Sequence, residues 1–307
     1  MRKSGVLALL AGLFISPAFA QADEFEQGLG TMWEVLWHQS GTPTRLVRWE
    51  QEMRVRMVGV NLQQHRPHTI EALRTVAAEA GVKLVDVTDR SDAAQIANVS
   101  VEITPDHMLE DNQPCVTFLN FYSETRIESA AIQMRSRDAW RCAYHEAMHL
   151  MGVRGHPAGK TVLSYFPWKV DGLLPLDKVM LRGWYSPRMR GGMTPFEVLP
   201  ILSDELIATM PDKPRATQQR DRYFAQIIDQ MQAFADGVGD VPAVVKRSGK
   251  STQDGIRLGR TEMSYFLGIA YLEGAIVAQD SGQAVRWLQR AATLGSRTAQ
   301  ARLGGFR

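Results

Sequence analysis

The residues of this chain best suited to chemistry are His145, Glu146 and His149. They lie in the stretch His145-Glu146-Ala147-Met148-His149-Leu150-Met151-Gly152-Val153-Arg154-Gly155-His156. On an α-helix each residue advances about 100°, so His149 stands about 40° round from His145 and one turn further on. Both imidazoles can then close on one metal ion. Glu146 lies about 60° from His149, off the ligand pair but within reach of a water on the metal. A zinc ion brings the pKa of such a water to about 7. The carboxylate can take the proton as water attacks a carbonyl and hand it to the leaving nitrogen. The five-residue motif arises by chance in roughly one chain of this size in a hundred. The plainer reading is a pair of surface histidines on an amphipathic helix.

Two imidazoles leave zinc under-coordinated, because hydrolytic sites commonly use three protein ligands and a water. His156 can be the third if the helix stops near Gly152 and the chain swings back; Asp171 is the acidic alternative. Gly152 tolerates the left-handed backbone such a reversal needs, and Gly155 adds a second permissive position. Pro157 biases His156 toward an extended backbone. The expectation is one zinc per chain on His145, His149 and His156, with Glu146 as general base. His65 and His68 suggest either a second metal site or a solvated loop.

Several elements must position these groups. Helical spacing runs from Phe25 to His38, and Leu46 to Val60 alternates like a strand. A helix over Ile70–Ala80, opened by His68-Thr69, ends at Gly81. Strands are expected at Val82–Val87, Ile96–Ile103, Cys115–Tyr122 and Ile127–Met134, followed by the helix Asp138–Met151. Either Cys115–Tyr122 or Ile127–Met134 can present an open edge to an extended peptide. Beyond Pro157 the chain turns irregular, then helices are expected over Leu176–Tyr185 and Arg215–Ala235, with Gly237–Lys250 as a linker. This order predicts an α/β (α+β) layer arrangement.

The stretch from His145 to His156 resembles the metzincin signature of zinc peptidases: two His and a Glu on a helix, a Gly where the chain turns, and a third His. The preceding strand–helix–strand order is similar, and Thr161-Val162-Leu163-Ser164-Tyr165-Phe166 resembles the Met-turn beneath the metal. Leu176, Asp177 and Trp184-Tyr185 are similar to the helix that closes many metzincin domains. A little-characterised group of bacterial metallopeptidases is closer than familiar members. The resemblance covers roughly residues 45 to 190, its specific part about forty of them. It implies a sandwich of a twisted mixed sheet and an active-site helix. It also makes Tyr165 a candidate stabiliser of the oxyanion, against a packed core tyrosine. Two departures stand out. The third His falls one residue late, at His156 rather than at position 155, and Leu163 replaces the Met, a near-isosteric exchange.

Arg2-Lys3, the apolar run Val6–Phe14 and Ala18-Phe19-Ala20 read as a secretory signal cleaved after Ala20. The run is too short for a comfortable membrane span, which takes about 20 residues. Cys115 and Cys142 are the only cysteines. In an exported, periplasmic or secreted chain they favour one disulfide, with a free thiol near the metal as the alternative. The 307 residues are 45% hydrophobic and 22% charged, and the formal charge is +2, which gives no electrostatic case for nucleic acid or an acidic membrane.

Leu267-Gly268 recurs 36 residues on as Leu303-Gly304, with Tyr271, Gly274, Asp280, Ala284, Trp287, Ala291-Ala292 and Gly295 between. This resembles the Sel-like relatives of the tetratricopeptide unit. An ordinary helical hairpin is the plain alternative. The expected organisation is a signal over 1–20, a metzincin-like domain over 21–210, a helix and linker over 211–250 and a Sel-like tail over 251–307. The functional expectation is an exported zinc peptidase acting on a protein or peptide, with a possible protein partner for the repeat. The competing expectations are a catalytically degenerate interaction module and a zinc amidase acting on cell-wall peptides.

Overall fold

Apolar side chains at every second residue of Met53-Arg54-Val55-Arg56-Met57 suit a strand with one buried face, and the computed structural model places strand β1 at Met53–Gly59 with those three buried. The structure describes residues 17–37, 45–122, 125–164, 172–247 and 253–305, with side chains from Glu24 on. Helix α1 spans Pro17–Val35, β1 follows, then α2 Leu62–Glu79, β2 Leu84–Asp86, α3 Ala93–Ile96 and β3 Val99–Thr104. Strands β4, Cys115–Tyr122, and β5, Arg126–Arg135, lead through a 3-10 turn into α4, Ala139–Leu150.

The sheet order is β2-β1-β3-β5-β4. The first four strands are parallel, and β4 pairs antiparallel with β5 at the edge. Helices α2 and α4 pack on each other and on the sheet. Together these make a mixed α/β layer structure. The α-helices α5 Pro175–Trp184, α6 Pro195–Thr209, α7 Lys213–Asp236, α8 Ala243–Arg247, α9 Gln253–Glu273, α10 Ser281–Thr293 and α11 Arg297–Gly304 complete it. No described helix is long and apolar enough to cross a membrane.

Several boundaries differ from expectation, each for a physical reason. Residues 45–52 lie outside the ladder apart from a bridge at Arg48. Their alternating apolar side chains are used against helices, with Trp49 Nε1 donating to Leu150 O at 2.8 Å. Helix α2 begins at Leu62 rather than Ile70 and carries Pro67 inside it, which removes one i→i−4 hydrogen bond but does not stop the helix. Strand β3 begins at Val99 rather than Ile96. Just before it, the Asn98 side chain bonds Arg54 N at 2.7 Å and Glu52 O at 2.9 Å, substituting for ladder bonds. The segment expected as a linker contains α8, whose Val245 is buried. Helix α1 ends at Val35, and His38 lies outside the described residues.

Candidate metal centre

Helix α4 buries Cys142, Glu146 and His149 on one face, next to β4 and β5. Its C-terminus is held firmly. Trp49 bonds the carbonyl of Leu150, the Tyr185 hydroxyl donates to Met151 O at 3.1 Å, and Gly152 takes φ +90. A Cβ at position 152 would overlap Val47 O, so both conformation and space require glycine there. The returning segment is equally close-packed: a Cβ at Gly155 would overlap the carbonyl oxygens of Val35 and Trp37.

This reversal brings three imidazoles together. His149 Nε2 lies 3.1 Å from His145 Nε2 and 3.0 Å from His156 Nε2, and the third edge, His145 to His156, is 3.2 Å. His145 Nδ1 bonds Val162 O at 2.8 Å, and His149 Nδ1 bonds Val153 O at 2.7 Å. A carbonyl can only accept, so Nδ1 of both rings carries the proton and Nε2 of both is a lone pair. Burial keeps all three rings neutral, with His149 lowered further by its two neighbours and His156 pulled down to about 3. Lone pairs facing one another at such distances want a cation between them. Tetrahedral zinc with Zn–N of about 2.0–2.1 Å separates its nitrogens by roughly 3.3 Å, close to the edges seen. These three residues could hold one metal ion, and their donor set fits zinc.

Glu146 is buried beside them and accepts a hydrogen bond from Thr117 Oγ1 at 2.6 Å. Burial pushes its carboxyl up to about 7, against the pull of Thr117. Cys115 and Cys142 form a disulfide with a Cα separation of 6.2 Å, joining β4 to α4 one turn before His145. Leu163 is fully buried. Asp177 accepts from Val162 N at 3.2 Å and Leu174 N at 2.9 Å, so one carboxylate fixes both the start of α5 and the loop whose carbonyl holds His145. Its pKa is raised to about 7 by burial, partly offset by those N–H groups. Tyr165 and Asp171 lie outside the described residues.

The site opens into a cleft of about 900 Å³ lined by β4, α4 and the His156 segment. Arg154 lines it too, with burial alone lowering its pKa. His65 and His68 take no part: His65 Nε2 lies 3.0 Å from Ser136 Oγ, and His68 bonds Trp140 O at 3.1 Å and stacks on the Trp140 ring. Sequence reasoning missed Thr117, Arg154 and the role of Asp177. Thr117 had a signal, since it stands two residues along the strand from Cys115 as Glu146 stands one helical turn from Cys142. No protein-family model, curated protein or solved structure matches this chain.

Proposed function

We propose that the chain is a zinc-dependent peptidase of metzincin type. The observation that carries this is the triangle of Nε2 atoms at 3.0–3.2 Å with buried Glu146 next to it. A zinc ion held there would supply Lewis acidity and a water acidic near neutral pH. Glu146 takes the proton of the attacking water and delivers it to the leaving nitrogen. Thr117 fixes that carboxylate, and a group whose metal-free pKa is about 7 is well matched to a proton that comes and goes.

The edge strand supports a peptide substrate. Strand β5 is enclosed between β3 and β4, whereas β4 has no second partner strand among the described residues and borders the cleft. An extended peptide can add to it through main-chain hydrogen bonds. Export is supported by the disulfide, which persists in oxidising compartments. The Sel-like assignment is supported by the α9–α10 hairpin, in which a Cβ on Gly268 would meet the Leu288 side chain. Metal analysis with casein or a peptide library tests the activity. About one zinc per chain is expected, with turnover falling roughly 10²–10⁴-fold in Glu146→Gln while zinc is retained. Equal turnover by the variant refutes Glu146 as base. Absence of zinc from wild type and His149→Ala alike refutes the metal centre.

A further inference from the structure

Resting on that reading and going beyond it, we propose that Arg154 recognises a carboxylate on the peptide, directing cleavage to bonds near an anionic group. Arg154 stands on the close-packed reversal between α4 and His156. Its predecessor, Val153, carries the carbonyl that holds His149, and its successor, Gly155, abuts Val35 and Trp37. The side chain lines the same cleft as His149, His156 and Glu146.

This guanidinium has no carboxylate partner among the described residues. Its Nε is buried without a hydrogen-bond partner. The arginines at the β5–α4 junction are paired. Arg141 meets Asp138 at 2.8 Å, Arg135 meets Asp111 and Asp138 at 2.5 Å, and Arg137 meets Asp111. Glu146, an acid in the same cleft lining, is engaged by Thr117 instead. Arg154 is half-buried and its Nε is out of contact with water; leaving that part of the guanidinium without a partner is costly, so a purely structural arginine here would be expected to have acquired one.

The contact it does make is aromatic. The guanidinium carbon sits 5.5 Å from the Phe121 ring centroid. Phe121 follows a register shift in β4 at Asn120/Phe121, the kind of irregularity that re-aims a side chain. A ring against a guanidinium leaves the in-plane N–H fork for a ligand, and that fork matches the two oxygens of a carboxylate. A neutral peptide would leave the desolvated charge unanswered, which is how a polar site rejects the wrong partner. The carboxylate can come from the substrate's C-terminus or from an Asp or Glu side chain.

The test uses the zinc-loaded full chain on a matched peptide set. One parent peptide has an amidated C-terminus, a second the free acid, and amidated versions carry Glu or Gln at the positions flanking the scissile bond. Wild type is expected to favour one acidic arm over its neutral match by roughly 10–100-fold in kcat/KM. The free-acid arm identifies a C-terminal carboxylate, and the Glu arm a side chain. Arg154→Met should erase the preference by lowering the acidic substrates alone, and Arg154→Lys should restore part of it. Equal handling of acid and neutral peptides by wild type overturns the proposal, and that comparison needs no variant to fold. So does a uniform loss across all peptides in Arg154→Met with zinc intact. If no peptide is turned over, the peptidase reading fails, and calorimetric binding of the same set decides this one. A carboxylate preference present in wild type and absent in Arg154→Met sustains it; equal preference in both refutes it.

Discussion

His145 and His149 each give their Nδ1 proton to a backbone carbonyl, so two bare nitrogens face each other at 3.1 Å with His156 closing the triangle. Their positions on one helix face were legible, because the i, i+4 spacing fixes them once the segment is helical. The late His156 was harder to place from sequence alone. Its arrival depends on the φ +90 of Gly152 and on Gly155 fitting against residues 35–37, a contact no local pattern contains. His156→Ala should lower zinc content sharply, since two imidazoles are left; unchanged content would move the third ligand elsewhere. The pH dependence is set by burial. In the unfolded chain these rings protonate near 6.5, whereas in the folded site His156 does so only at about 3. A lowered folded value means the ring stays a competent donor as pH falls through 6.5. Zinc should therefore survive dialysis at pH 5.5 in the folded chain and be lost from the urea-unfolded one. Release from the folded chain between pH 6 and 7 would show ordinary, solvated imidazoles.

Strand β4 and helix α4 show how much a pair of cysteines can reveal. Two residues along a strand and one turn along a helix are steps of similar length. A Cys115–Cys142 bridge therefore predicts that Thr117 meets Glu146, and the two are joined at 2.6 Å. The bridge closes 27 residues of sequence. Replacing both cysteines by serine should cost roughly 3–4 kcal/mol in the chain-entropy model, read as a lowered denaturation midpoint at unchanged slope. A change under about 0.5 kcal/mol would mean the bridge adds little constraint.

Asp177 acts at the same scale, tying α5 to the loop under His145. Its folded pKa, about 7, exceeds the ordinary value of 3.8. Between those values the native state holds a proton that the unfolded state has lost, so stability falls as pH rises through that window. Asp177→Asn should flatten that part of the stability–pH curve; an unchanged slope would place the charge elsewhere. Sequence resemblance marked Asp177 as part of a closing helix, but its bond to Val162 N depends on where the loop lies and could not be read locally.

At the scale of the molecule, one buried cluster draws on residues from both sides of position 210. Leu29 of α1, Phe196 and Leu202 of α6, Phe234 of α7 and Phe266 of α9 belong to one continuous buried cluster. Helix α1 packs on both α6 and α7, and α9 packs on both as well. Compositional change after Gly237 suggested a linker, yet Val245 of α8 is buried in the same cluster. Helix α6 went unread because its apolar residues surround it instead of forming one stripe, so the helical period is faint. Removing α7–α11 would uncover the large apolar faces of α1 and α6, and exposed patches of that size drive association. A fragment ending at Met210 should therefore aggregate or fail to melt cooperatively, while the full chain unfolds in one transition. The helices after residue 210 would then be part of what holds α1, and through residues 35–37 the segment bearing Gly155 and His156, in place. A soluble fragment ending at Met210 with a sharp thermal transition and one bound zinc would refute this, showing that the metal centre folds without the helices that cover it.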